Sequence, residues 1–334
     1  MGYSGEHMKK FLCLAAAVWA CVAAGQEAVP TVVEGATYQF GNTYAGLYAD
    51  AGHPDGGNVT ISAGEGGQDM SLADIIGNWN DANNERAYWG TVTMTGGEVH
   101  DLYGAWCPRG DAGHSTVIMQ GGTARNIIGG QTGDYEAYNN TVIMTGGTAK
   151  EVTASSSATG AATFNNIYLI GKGGEATVDD VHYTHTEDIS IKRLYGATGN
   201  GLTHNTIDFY GTGIEVGRMD NADILAFHLT AETSEAILIL SLPLDLVDVT
   251  LNFSATESLA LGSSITLIST PAAIYLSDDQ LARTYTITNG DTTLTTARLS
   301  YTEGVGLSLL LAPEPTTPTL ALLALPALLR RRRK

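Results

Sequence analysis

The chain has 334 residues, with 35 acidic and 17 basic side chains and a formal net charge of −18 at pH 7. A surface this acidic repels nucleic acid and anionic lipid, so we expect neither as a stable partner. Glycine is abundant at 40 residues and aromatic residues make up only 7% of the chain, a composition typical of many short strands joined by tight turns.

The N-terminus has the pattern of a secretory signal peptide. Two lysines precede an apolar stretch at residues 11–24 that ends in small side chains. Met8 is the natural start of such a signal, and we predict that residues 1–25 are removed on export. In a second interpretation, Cys21 is the lipidated cysteine of a lipoprotein, although a tryptophan stands where that signal requires a small residue.

Processing at both ends would make the mature chain still more acidic. Loss of residues 1–25 and 316–334 removes seven of the 17 basic residues and one of the 35 acids, leaving 10 basic and 34 acidic residues, net −24. Such a chain stays soluble outside the cell and repels acidic carbohydrate unless divalent cations bridge the two. Cys107 would be its only cysteine, so we expect no intramolecular disulfide.

A repeat of 25 residues dominates the middle of the chain. Three copies of a Thr-Val-x-Met-x-Gly-Gly pattern align without gaps at residues 90–99, 115–124 and 140–149. A degenerate fourth copy follows at 165–171, and weaker copies lie at 57–61 and 205–211. Two alignment columns are apolar and two positions apart, and therefore lie on one face of a strand: Val92, Val117, Val142 and Ile167, and Met94, Met119, Met144 and Leu169.

A repeat of this length, with short strands and a glycine turn but no helical periodicity, is typical of one coil of a right-handed parallel β-helix. We therefore predict an all-β fold with an N-terminal cap at residues 26–56 and β-helix repeats at 57–221. Residues 222–312 contain strands without the repeat, and form either the last coils and cap of the solenoid or a separate small β domain. A β-sandwich and a β-propeller are the alternatives.

The Gly-Gly pairs have a predicted place in this architecture. They are expected at a corner of each coil, where a positive φ or a close passage of backbone excludes a Cβ.

The sequence predicts no catalytic residues, no cofactor and no metal centre. A glycan-cleaving enzyme on this fold needs grouped carboxylates, calcium-binding acids or a basic catalytic residue on one outward column. Glu98, His100 and Asp101 are instead followed, one and two repeats later, by residues of mixed sign, as on a solvated face. His182 and His185 are interpreted as part of a polar loop, because a three-residue offset in a strand sends the imidazoles to opposite faces.

Four aromatic residues are candidates for stacking on a sugar: Trp79, Trp89, Trp106 and Tyr103. All lie in or beside irregular segments between the repeats, and packing on the flank of the fold explains them equally well. Arg109-Gly110-Asp111 is an RGD tripeptide, which is too short to indicate integrin binding by itself.

The C-terminus carries an ordered series of signals. It contains Pro313, Glu314 and Pro315, then an apolar stretch at residues 320–329, and then the basic end Arg330, Arg331, Arg332, Arg333 and Lys334. As a helix, the apolar stretch would span about 15 Å, roughly half of a bilayer core, and a proline interrupts it. We therefore predict transient membrane association, with the cationic end resisting translocation.

This tail resembles the PEP-CTERM sorting tag of exported bacterial surface proteins, and the repeats are similar to autotransporter-passenger or adhesin-like β-helices of Gram-negative bacteria. The first resemblance implies a secretion translocon and an exosortase-like protease as partners, and delivery to the cell surface, outer envelope or extracellular matrix. We expect an exported, non-enzymatic structural or adhesive protein near extracellular polysaccharide. A polysaccharide lyase or glycoside hydrolase on the same scaffold is the main alternative, and a carbohydrate-binding module the second.

Overall fold

The structure, a computed structural model, describes the strands Ala36–Tyr38, Ala45–Tyr48, Asn58–Ile61 and Met70–Trp79 together with residues 86–230 and 235–312. The predicted signal peptide, most of the predicted N-terminal cap and the sorting tail lie outside the described residues. Strands account for 65% of the structure and helix for 2%, and the strands form a long, mostly parallel sheet. The prediction of an all-β fold is therefore confirmed.

Most strands belong to three ladders, in which each strand, or rung, pairs in parallel with a rung from the next repeat. Ladder 1 comprises Asn58–Ile61, Thr91–Met94, Thr116–Met119, Thr141–Met144, Asn166–Ile170, Thr206–Tyr210, Ile224–Leu229, Thr250–Ala255 and Tyr285–Asn289. Ladder 2 comprises Ala45–Tyr48, Met70–Trp79, Glu98–Cys107, Thr123–Thr132, Gly147–Thr163, Ile189–Tyr195, Ile214–Asp220, Leu238–Leu240 and Ser264–Ser269. Ladder 3 comprises Ala87–Tyr88, Ala112–Gly113, Ala137–Tyr138, the C-terminal part of Gly147–Thr163, and Thr198–Thr203.

The register of ladder 1 reproduces the alignment of the repeats. Val117 pairs with Val92 on one side and with Val142 on the other, and Met119 is paired in the same way. All eight side chains of the two predicted columns are fully buried. Burial of a side chain of this size contributes about 1.5–3 kcal/mol relative to exposure, so these columns form much of the core.

The column of Met94 and Leu169 continues as aromatic residues further along the chain. Phe209 stacks on Phe227 with ring centroids 5.2 Å apart, and Phe227 stacks on Phe253 at 5.9 Å. Ladders 1 and 2 thus extend beyond residue 222, with rungs as far as Tyr285–Asn289 and Ser264–Ser269.

Antiparallel pairs lie at the ends of the ladders and in one insertion. Ala36–Tyr38 pairs with Ala45–Tyr48, and Glu175–Val178 forms a hairpin with Val181–Thr184. At the C-terminal end the antiparallel partners are Ser264–Ser269 with Gly306–Leu311, Gly306–Leu311 with Thr292–Thr302, and Thr292–Thr302 with Tyr285–Asn289. These strands cover the last edges, which would otherwise expose unpaired backbone groups.

Two small elements complete the described structure. Leu244–Asp245 pairs in parallel with Ile274–Tyr275, and the helix Asp278–Ala282 follows, capped by the Ser277 hydroxyl, which accepts from the Gln280 N–H. Among the described residues, no helix is both long and apolar enough to cross a bilayer.

Two kinds of corner connect the ladders. The second glycine of each Gly-Gly pair has a positive φ, 89° at Gly97, 88° at Gly122 and 99° at Gly147, as predicted. The second corner immediately precedes ladder 1 and places residues with large side chains at positive φ, which the sequence did not indicate: Trp89, His114, Asn139, Phe164 and His204.

Candidate functional site

A groove of about 750 Å³ follows the outer face of ladder 2. Its floor is formed by one residue from each successive rung: His100, Arg125, Lys150, Lys192 and Gly217. These positions face outward because their preceding neighbours, such as Val99 and Ala124, are buried in the core and strand residues alternate between faces.

The middle of the groove is positively charged. Arg125, Lys150 and Lys192 are exposed and stand on three consecutive rungs, while Glu98 and Glu215 lie at opposite ends. Within the part of the chain that the structure describes, none of the three cations forms an ion pair. The groove therefore combines accessible cations with hydroxyl groups from the neighbouring column of threonine and serine.

His100 connects this groove to a carboxylate beside it. Its Nδ1 lies 2.8 Å from Asp74 Oδ1, and Arg125 Nη1 lies 2.6 Å from its Nε2. Because a guanidinium only donates, Nε2 accepts from Arg125 and Nδ1–H donates to Asp74. The bond to His100 orients the Arg125 side chain towards the first rung of the groove.

Asp101 is the second carboxylate next to His100, and it is only 6% exposed. Its Oδ2 accepts from the Tyr103 hydroxyl at 3.0 Å and its Oδ1 from the Asn126 amide at 2.8 Å. Burial raises the pKa of Asp74 above its usual range, the hydrogen bond with His100 opposes that rise, and the charge of Asp101 adds to it. Asp74 and Asp101 thus differ in environment, and both carboxylate oxygens of Asp101 are already hydrogen-bonded within the protein.

Asp74, His100 and Asp101 offer three metal-ligand atoms that all lie within 4.8 Å of one another, although the sequence predicted no metal. Two carboxylates and an imidazole are a donor set that suits zinc. Both nitrogens of His100 are engaged by Asp74 and Arg125, and both oxygens of Asp101 accept hydrogen bonds. The hydrogen-bonding atoms of His100 and Asp101 are therefore already paired within the protein, and the cationic Arg125 is in contact with His100.

Three of the four predicted stacking residues come together. Trp79 and Trp106 stack with centroids 5.7 Å apart, and Tyr103 stacks on Trp106 at 5.3 Å, packed on Ile76 and Ile128. Tyr103 is buried, and the rings cover one another's faces. This arrangement favours packing on the flank of the fold over an open platform for a sugar.

Trp89 lies apart from that cluster, at the positive-φ corner before ladder 1. It is 51% exposed and stacks on the His114 ring at 4.5 Å. The aromatic residues therefore do not form one coplanar surface with it.

Two other sequence candidates have ordinary surroundings. The predicted polar loop around His182 is instead a hairpin, in which His182 pairs with Thr177 and its Nε2 lies 3.5 Å from Glu175 Oε2 in an exposed pair. Such exposed pairs contribute little to stability. In the RGD tripeptide, Asp111 forms an ion pair with Arg86 at 3.7 Å.

The structure also assembles a Ser-His-Asp chain that the sequence reasoning missed. On the outer face of ladder 1, Ser254 Oγ lies 2.7 Å from His228 Nδ1, and His228 Nε2 lies 2.8 Å from Asp208 Oδ1. The Tyr210 ring stacks on the imidazole at 3.8 Å. Register could have revealed it, since Tyr210, His228 and Ser254 pair in one column, but the rungs there no longer follow the 25-residue spacing.

This chain resembles a nucleophile, base and orienting acid in its order, but its backbone is unsuited to acyl transfer. An oxyanion hole needs N–H groups directed at the developing negative charge. Ser254 lies in a rung paired with His228 on one side and Thr288 on the other, so its backbone N–H is committed to the ladder. The hydrogen-bonded series of Ser254, His228 and Asp208 therefore acts as a polar bridge between three rungs.

No protein-family model, curated protein or solved structure matches the chain.

Proposed function

We propose that this protein is an exported, non-enzymatic surface or extracellular-matrix protein with a structural or adhesive role, built as a right-handed parallel β-helix. Support for the helix comes from the ladders, because a chain that returns to the same ladders with every 25-residue repeat completes one coil per repeat. The right hand is that of nearly all parallel crossover connections.

The C-terminal part fits the same architecture. Ladders 1 and 2 continue through residues 222–289, which supports final coils of one solenoid over a separate domain. The antiparallel strands that follow serve as the cap that an open solenoid end requires.

The observation that carries the non-enzymatic role is the spacing of acids in the groove. Its two glutamates, Glu98 and Glu215, stand four rungs apart, about 19 Å at the strand spacing of parallel sheets. A pair of glycosidase carboxylates lies about 5–9.5 Å apart. The outward-facing residues on the three rungs between them are hydroxyl-bearing or cationic, which suits binding of a polymer without cleaving it.

A second candidate function is glycan cleavage at Asp74, His100, Asp101 and Arg125, where two carboxylates lie beside basic groups. A carboxyl with a raised pKa, such as Asp74, is typical of a general acid. The second carboxylate that cleavage would need weakens this candidate, because Asp101 is buried and already accepts two hydrogen bonds.

The enzymatic alternative is tested by assaying the protein on acidic and neutral glycans beside its Asp74→Asn variant. We expect no turnover from either. Cleavage by the original chain that disappears in the variant would refute the structural and adhesive role.

Delivery rests on the two ends of the chain. We propose that the signal peptide takes the protein through a secretion translocon, and that an exosortase-like protease cuts near Pro313-Glu314-Pro315 after the basic end has held the tail briefly in the membrane. The order of motif, apolar stretch and cationic end supports this step.

The delivery step is tested by fractionating cells that express the intact chain or a version ending at Leu311, with mass spectrometry of the mature C-terminus. We expect the intact chain at the envelope with its tail removed near residues 313–315. A variant with glutamine at all five basic positions of the tail serves as a control for the membrane stop. A soluble periplasmic product that keeps its tail would contradict sorting.

A further inference from the structure

We infer that the groove on ladder 2 binds a linear, carboxylated polysaccharide of the uronic-acid type through Arg125, Lys150 and Lys192. The inference rests on the proposed adhesive function and names the partner class. It concerns the charge pattern of one surface, which differs from the charge of the whole chain.

The distribution of basic residues is uneven. Residues 86–312 contain ten Lys and Arg against 24 Asp and Glu. Half of those ten stand on two adjacent columns of ladder 2: Arg125, Lys150 and Lys192 in the groove, and Arg193 and Arg218 in the next column, which also carries Asp101 and Glu151. On a surface that is acidic elsewhere, this edge is where an anion meets the least repulsion.

The three groove cations repel one another in the unbound protein. Consecutive rungs place them about 4.8 Å apart at their backbones. Like charges on side chains of neighbouring rungs therefore repel one another. Because the described residues provide Arg125, Lys150 and Lys192 with no carboxylate at ion-pair distance, an external anion is the group that would relieve this repulsion.

Each rung offers the same pair of groups. Arg125 has Thr123 two residues before it on the same face, and the next two rungs repeat the arrangement with Lys150 beside Thr148 and Lys192 beside Ser190, all lining the groove. A uronic-acid polymer likewise carries one carboxylate and several hydroxyls on each sugar. The same contacts would therefore recur from rung to rung along the groove and from sugar to sugar along the polysaccharide.

Arg125 is oriented before any ligand arrives. Its Nη1 donates to His100 Nε2 at 2.6 Å, and His100 is itself held by Asp74. A side chain fixed in advance loses less conformational entropy when it binds.

The groove chemistry favours a glycan over nucleic acid. Proteins that bind single strands combine cations with aromatic rings on which bases stack, whereas among the described residues no Phe, Tyr or Trp lines this groove, and both ring nitrogens of His100 are engaged by Asp74 and Arg125. The net charge of −18 also opposes a densely charged phosphate backbone more strongly than a chain with one carboxylate per sugar.

Titration calorimetry of the full chain with alginate oligosaccharides tests the inference, at low salt and with EDTA present so that divalent cations cannot bridge. The Lys150→Gln/Lys192→Gln variant is expected to bind at least about tenfold more weakly, equivalent to about 1.4 kcal/mol. Arg298→Gln and Arg283→Gln combined make the same change in net charge on exposed residues outside the groove, and are expected to bind within about twofold of the original chain. Thermal melts check that the variants fold.

Several outcomes would overturn the groove site. These are equal binding by the groove variant, equal loss in the control, binding that requires calcium, and equal affinity for single-stranded DNA. If the original chain binds no alginate, yet is found at the envelope and cleaves no glycan, the groove site fails while the proposed structural function stands.

Discussion

Replacing Asn165 with alanine is expected to destabilise the protein by about 4 kcal/mol. Asn165 belongs to a row of fully buried asparagines, with Asn140 and Asn205, that stands at the corner before ladder 1. Each side chain in the row connects one rung to the next, so the row replaces backbone pairing where the chain turns.

The magnitude follows from four of the five hydrogen bonds made by the Asn165 side chain, because the fifth, from Asn140 Nδ2 to Asn165 Oδ1, is long at 3.5 Å. Its Oδ1 accepts from the Asn140 N–H at 3.0 Å and from the Ser155 hydroxyl at 2.6 Å. Its Nδ2 donates to the Ala137 carbonyl at 3.3 Å and to Asn205 Oδ1 at 2.9 Å. Each net hydrogen bond contributes about 1 kcal/mol, and the partners left behind are buried away from water.

Urea denaturation of the full chain, followed by circular dichroism, measures the loss. Asn200→Ala is the matched control, because Asn200 is exposed and donates one hydrogen bond, to the Thr159 carbonyl at 3.1 Å. The control is expected to change stability by less than about 0.5 kcal/mol. Asn165→Asp retains the acceptor but loses both amide donors and places a buried carboxylate oxygen against the Ala137 carbonyl and Asn205 Oδ1, so it should cost at least as much as the alanine variant.

A loss below about 1 kcal/mol for Asn165→Ala, or one equal to that of Asn200→Ala, would refute the reasoning. That result would mean that the row only fills space. Hydrogen exchange gives a second reading, since the amide of Asn140 donates to Asn165 and should exchange faster in the alanine variant.

In urea denaturation, Gly122→Ala is expected to lose more stability than Gly262→Ala. Both glycines have positive φ, but a Cβ at Gly122 would lie 2.5 Å from the Gly97 carbonyl oxygen, whereas a Cβ at Gly262 would meet open space. Equal costs would contradict the close approach. Burial raises the pKa of the Cys107 thiol from 9.0 to about 11, so its contribution to stability is fully present below pH 9 and is lost as pH rises through 11. In thermal melts, the stability of Cys107→Ala should fall less steeply between pH 9 and pH 11 than that of the original chain. The same dependence on pH in both proteins would contradict this prediction. A fluorophosphonate should not label Ser254, and a covalent adduct there would restore the hydrolase interpretation.

The core of the repeat region could be predicted because its spacing is constant. Where copies lie 25 residues apart, alignment alone places Val92 over Val117 and Met94 over Met119, and the pairing agrees. After Asn165 the equivalent asparagine is 40 residues away at Asn205, because the hairpin Glu175–Val178 and Val181–Thr184 is inserted. Alignment could not show that the ladders continue beyond such an insertion.

The same insertion concealed the groove. Lys150 and Lys192 are 42 residues apart in the chain but lie on neighbouring rungs. Alignment of the three regular repeats includes only one histidine, one arginine and one lysine at this position, among residues of mixed charge, and so does not reveal a row of cations. The Ser254, His228 and Asp208 chain was hidden for a related reason, since its rungs follow one another at irregular intervals.

The sequence by itself determined the strand faces, the buried columns and the glycine corner, because these depend on alternation within a strand and on the conformations that glycine allows. It also carries the signals from which export and sorting are proposed. Only the tertiary structure decided which polar side chains meet, namely His100 with Asp74 and Arg125, the row of asparagines, and the cations of the groove. Those contacts join residues from different rungs, and their register depends on insertions whose length local sequence does not constrain.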